Sequence, residues 1–171
     1  MILAVLEHTP LWVFAVFALL VYRGVAATRT RAVQVGPLAL LALAFIALGL
    51  SGALSLAHGK VEPLAIWALA FGLALYAGIR SVPRHMVFGS RESPMQRGSF
   101  ASLGLILAIF TTRYGVGVLS AVHPELIDGL LASTALCGLY GALSGLTTGR
   151  AMRVLLLSMR LPFSHPVAVT A

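Results

Sequence analysis

The chain has 171 residues, 59% of them hydrophobic and 10% charged, with a formal net charge of +7. A soluble domain carries roughly 25% charged and about 45–50% apolar residues, so a water-soluble core of this length is excluded and lipid is the remaining solvent. Cys137 is the single cysteine, which also excludes an intramolecular disulfide, a paired-thiol redox motif and a cysteine metal cluster.

Apolar runs of about 20 residues cross a hydrocarbon core of about 30 Å, and five occur in chain order. The first is Pro10–Ala27. No Lys or Arg precedes it, whereas Arg23, Arg29 and Arg31 lie at its far end or beyond, so a retained helix is expected rather than a cleaved secretory leader. The others are Gly36–Ala57, Pro63–Ile79, Ser99–Val122 and Ile127–Thr147. Apolar residues run continuously through all five, without the alternation of a membrane barrel. The expected class is an all-α integral membrane protein with five transmembrane helices. Residues 148–163 keep a helical pattern, with Arg150, Arg153 and Arg160 on one face and Leu155, Met159 and Phe163 apolar. That suits an interfacial helical tail stopped at Pro162.

The charges sort by connection. Arg23, Arg29 and Arg31 follow the first span, Arg80, Arg84, Arg91 and Arg97 follow the third, and Arg150, Arg153 and Arg160 follow the fifth. The alternate connections carry Glu7, Lys60, Glu62, Glu125 and Asp128. Lys and Arg concentrate in cytoplasmic loops, which places the N-terminus outside and the C-terminus inside. The basic half then meets the anionic inner leaflet, where each Lys or Arg gains about 1 kcal/mol. Membrane lipids are the expected partners, and nucleic acid is not. Trp12 and Trp67 fall near the outer ends of their spans, where indoles favour the headgroup boundary.

Three features carry packing or chemistry. The last span puts Gly138, Gly141, Gly145 and Gly149 on one stripe with Thr134, the small-residue spacing that lets helices approach closely in lipid. The sequence leaves open whether its partner is in the same chain or another copy. Shorter rows are Gly104, Ala108, Thr111 and Gly115 in the fourth span and Ser51, Gly52 and Ser55 in the second. Arg113 is the second feature, nine residues before Val122 and so about 13 Å below the outer end of its helix. An arginine near a helix centre costs about 2.5–3.5 kcal/mol on insertion scales. Either it snorkels outward to Glu7, Glu125 or Asp128, or it lines a polar pocket with Ser51, Ser55, Ser133 and Thr134 suited to an anion or lipid headgroup. Third, His8, His58 and His123 lie at outer ends of spans and are weak candidates for zinc or copper, since no short ligand spacing joins them.

The first and third spans echo each other, Pro10-Leu11-Trp12 leading to Tyr22-Arg23-Gly24 and Pro63-Leu64 with Trp67 leading to Tyr76-Ala77-Gly78 with Arg80. This is either a parallel two-helix repeat or a recurrence of ordinary interface residues. The loop from Arg80 to Phe100 contains Pro83, Gly89, Pro94 and Gly98, against one continuous helix. No paired carboxylates, nucleophile constellation or phosphate-cradling loop occurs, so an enzyme and a cofactor are not expected.

The stretches HTPLWVFAVFALLVYRG, GSFASLGLILAIFTTRYGVGV and LYGALSGLTTGRAMR together resemble an uncharacterised family of small proteobacterial multi-span inner-membrane proteins with no assigned function. The resemblance rests on Arg113-Tyr114, Gly149-Arg150 and the Trp near the N-terminus; Gly98-Ser99 lacks the aromatic and proline of the family's block. It implies a bacterial inner-membrane, multi-pass protein. The leading functional expectation is a non-enzymatic accessory or assembly protein acting through helix packing, as a homo-oligomer or with a membrane partner. The alternative is a small transporter or channel with its polar site at Arg113, and the third is metal or haem handling by the outer histidines.

Overall fold

In the computed structural model, the described residues are 18, 22, 25, 28–57, 59–127 and 129–163. Four long helices make up most of it: α1 (Val35–Ala57), α2 (Val61–Ser81), α3 (Phe100–Val122) and α4 (Leu130–Met159). All four are long and apolar enough to cross a membrane, with mean hydropathy of 1.4 to 2.2 over their best windows. Large apolar side chains such as Leu40, Leu43, Leu69 and Leu73 stand exposed on them, a surface that lipid accepts and water does not. The expected first span, Pro10–Ala27, lies outside the described residues apart from the helical positions Ala18, Tyr22 and Val25. With it go Trp12 and the first half of the two-helix echo.

Local chemistry sets the ends of these helices. Between α1 and α2, Gly59 takes a φ of +78°, which costs glycine nothing, and the Lys60 N–H closes the turn on the Ala57 carbonyl at 2.8 Å. Ser99 caps α3, its hydroxyl accepting from the Ala101 N–H at 3.2 Å, the side-chain cap that free helix N–H groups favour. At the other end the His123 N–H reaches the Leu119 carbonyl before Pro124 stops the helix.

The last helix is the centre of the molecule. One face of α4 lies on α2 along the glycine stripe and another on α1, whereas α3 contributes no fully buried residue. Two apolar cores form along it. Near the end where α1 meets α2, Ala53, Leu56, Ile127, Cys137 and Tyr140 cluster with Trp67, Val116 and Leu119 against them. At the opposite, arginine-rich end, Val82, Val87, Val154 and Leu157 cluster with Val33, Leu38 and Met86.

That second core explains why α4 does not end where expected. Residues 148–163 are not a separate interfacial helix: as far as Met159 they continue α4, with no proline before Pro162. Thirty residues at 1.5 Å each span about 45 Å, more than the hydrocarbon core. One side of the excess, Val154 and Leu157, packs against Val82 and against Val87 of a small antiparallel sheet. β1 (Arg31–Ala32) pairs with β3 (Pro94–Gln96), which pairs with β2 (Val87–Gly89). The Arg91 N–H donates to the Pro162 carbonyl at 3.0 Å and its guanidinium covers the Phe163 ring at 4.8 Å. These contacts tie the loop between α2 and α3 to the turn after α4.

Candidate functional site

Arg113 projects from the middle of α3 toward the bundle. Its guanidinium lies over the Tyr140 ring of α4, 4.7 Å from the centroid. Gly52 of α1 makes room for the pair, because a Cβ there would fall 2.8 Å from Tyr140 Cε2 and 3.0 Å from Arg113 Nη1. A desolvated cation–π contact is worth about 2 kcal/mol or more, a large part of the insertion cost of about 2.5–3.5 kcal/mol. Arg113 Nη2 is buried without a hydrogen-bond partner among the described residues. Beside it is a pocket of about 20 Å³ lined by Phe45, Leu48, Gly49, Ile109, Tyr140, Leu143 and Ser144. A water needs about 10–15 Å³ on this measure, so the space admits one water.

The hydroxyls expected around Arg113 are elsewhere. Ser51, Ser55, Ser133 and Thr134 do not line this pocket, and each donates to a carbonyl of its own helix. Such back-bonding satisfies a hydroxyl in lipid without a ligand. Ser144, which does line the pocket, likewise donates to the Tyr140 carbonyl. None of the acids offered as outward partners pairs with Arg113 among the described residues. Glu125 accepts instead from His123, with Nδ1 and Oε1 2.9 Å apart. Its carboxyl is held below the usual range by a backbone hydrogen bond and then by His123. Glu7 and Asp128 lie outside the described residues, as do His8 and His58, leaving His123 the described member of the proposed metal set.

The glycine stripe has its partner within the chain. Gly141, Gly145 and Gly149 face the backbone carbonyls of Trp67, Phe71 and Leu75, one turn apart on α2, and a Cβ at any of the three would overlap the carbonyl oxygen. Gly138 is looser, with Ile66 Cγ2 3.3 Å from its would-be Cβ. Gly78 returns the contact from α2, where a Cβ would come 2.6 Å from the Leu146 carbonyl oxygen and 3.0 Å from Gly149 Cα. The other small-residue row behaves oppositely. Gly104, Ala108, Thr111 and Gly115 of α3 are all exposed, and a Cβ at Gly104 or Gly115 would meet nothing within 4 Å.

Two residues that matter were missed in the sequence. Tyr140 sits between the glycines of its helix and reads there as one more apolar position, although an arginine in lipid calls for an aromatic face or a carboxylate. Arg150 reads as a topology charge, yet its Nη1 donates to the Ser81 hydroxyl at 3.1 Å and its Nη2 to the Ser99 hydroxyl at 3.4 Å. It thereby joins the ends of α2, α3 and α4. Compared with protein-family models, curated proteins and solved structures, the chain has no match in any of the three.

Proposed function

We propose that the protein is a bacterial inner-membrane protein of five spans, with its N-terminus outside and C-terminus inside, and that it acts as a non-enzymatic accessory or assembly factor through helix packing. The orientation follows the positive-inside rule: Arg84, Arg91, Arg97, Arg150, Arg153 and Arg160 gather at the end capped by the sheet. The span proposed in addition to the four helices is Pro10–Ala27, and the inner-membrane placement draws on the resemblance given above.

One observation carries the packing role. α3 turns its small-residue row, Gly104-Ala108-Thr111-Gly115, away from the bundle. In lipid such a row is the surface on which a second helix settles, through close backbone approach. α4 uses its own row for that purpose against α2, and the partner proposed for α3 is a transmembrane helix of another polypeptide, itself bearing small residues. The transport reading is favoured only by the unpartnered Nη2 of Arg113. A space for one water beside a guanidinium held on Tyr140 suits a structural tether better.

The test places a photocrosslinking amino acid at Ala108 in intact membranes, with Leu69 on the lipid face of α2 as control. Adducts from position 108 to one defined polypeptide, either another copy or a single partner, are expected, and lipid adducts from position 69. Adducts from 108 confined to the chain's own residues 10–27, or to lipid, would overturn the proposal.

A further inference from the structure

At the arginine-rich end, α1, α3 and α4 line a crevice of about 80 Å³. Leu38, Leu41, Ala42 and Phe45 of α1 form one wall and Leu105 and Ile106 of α3 the other. At one end it becomes polar, with Arg150, Thr147, Ser102 and Gln96 among the lining residues. The volume is several times the roughly 10–15 Å³ that one water needs. Among the described residues, Arg150 has hydroxyl partners and no carboxylate within ion-pair distance. Neither the Gln96 amide nor the Ser102 hydroxyl bonds another side chain among the described residues.

Depth and charge identify what fits. Twenty residues separate Leu130 from the turn at Arg150, about 30 Å of helix, so Arg150 stands where the hydrocarbon gives way to headgroups. Ser99, which it holds, is the N-cap of α3, a helix with no acid in its first turn, and such a terminus favours negative charge. A guanidinium fork is matched to phosphate oxygens. The apolar walls continue from it toward the membrane interior, and Leu41 is half exposed on the lipid side.

We propose that this crevice is a specific site for one anionic phospholipid, the headgroup phosphate on Arg150 with Ser102 and Gln96, and an acyl chain between α1 and α3. The apolar walls decide for a lipid over free phosphate, since a soluble anion has no use for them. The site is separate from the Arg113–Tyr140 pair and from the outer face of α3.

Native mass spectrometry tests this on the full-length protein, taken into detergent from vesicles of phosphatidylcholine with one-fifth phosphatidylglycerol. The wild type is expected to retain one phosphatidylglycerol per chain through delipidation. Arg150→Gln, which removes a charge-assisted hydrogen-bond donor, should weaken retention by about tenfold or more. Ala42→Leu fills the apolar wall and leaves Arg150 in place, and it should lower retention as well. Arg84→Gln, exposed and away from the crevice, should not. Circular dichroism on each variant separates loss of the site from loss of fold, and Ala42→Leu and Ser102→Ala remain as readouts should Arg150→Gln unfold. Equal retention by wild type and all variants would overturn the proposal. So would displacement of the lipid by millimolar inorganic phosphate, because the site would then read a free anion and not a lipid.

Discussion

Replacing Gly145 with alanine adds one carbon to the α2–α4 seam, and the surrounding geometry fixes what that carbon does. It would overlap the Phe71 carbonyl oxygen and lie 3.0 Å from both the Leu75 nitrogen and the Phe71 carbonyl carbon. All three neighbours are main-chain atoms, so no rotamer change relieves the clash and the two helices must separate. Gly141 and Gly149 stand one turn to either side in the same contact, so any separation is felt along the whole seam. A gap of 0.5–1 Å already forfeits a quarter to a half of each dispersion contact. Overpacking of this kind costs about 1–3 kcal/mol, against a helix-propensity gain of about 1 kcal/mol for Gly to Ala. The net expectation is a loss of up to about 2 kcal/mol, or a fall in Tm of about 4–8 °C at the upper end for a chain of this size. Gly115→Ala is the internal control. It has the same propensity gain and no atom within 4 Å of the new carbon, so its Tm should hold or rise. Both are read by thermal unfolding in one detergent, followed by circular dichroism. Equal or higher Tm for Gly145→Ala than for Gly115→Ala would refute the seam.

Arg113→Leu and Tyr140→Leu should each loosen α3, and a double-mutant cycle should return a coupling of about 1–2 kcal/mol; additive losses would deny the cation–π tether. Leu157→Ala removes a buried side chain from the core beneath the sheet at a cost of about 2–5 kcal/mol. Trypsin should then cut first at Arg91 or Arg97, and an unchanged cleavage pattern would show that this core does not hold the loop. The Glu125 carboxyl titrates below its unfolded range. Its small contribution is therefore present above the unfolded pKa and lost as pH falls through the lowered folded one. Glu125→Gln should flatten the acid limb of Tm against pH, and identical limbs would remove the pair from the account.

Much of the architecture was legible because lipid asks for so little: a long apolar run must be a helix, since its backbone groups have no other partners. The segments expected at Gly36–Ala57 and Ser99–Val122 are helices Val35–Ala57 and Phe100–Val122, because Pro, Gly and a capping Ser mark such ends chemically. Residues 148–163 misled because their arginines match an interfacial face, and only tertiary contact with Val82 and Val87 reveals that the helix continues. The sheet was invisible for a similar reason. Strands of two or three residues carry no periodicity, and this one is held by pairing across more than sixty positions, from Arg31 to Gln96. Arg113 was found by its cost, but its direction was not. The small residues Gly104, Ala108, Thr111 and Gly115 are exposed, whereas the arginine faces Tyr140 of the bundle.

The order of synthesis has a consequence for how this chain is made. Of the four helices, the one around which α1 and α2 assemble is made after the other three, about seventy residues after the carbonyls of Trp67 and Phe71 that its glycines cover. Until Leu130–Met159 has entered the membrane, the earlier helices have little to hold one another. Each must therefore be stable as a lone span, which their hydropathy of 1.5 to 2.2 allows. A chain released before Thr134 would carry α1, α2 and α3 without the glycine seam that α4 forms on α2.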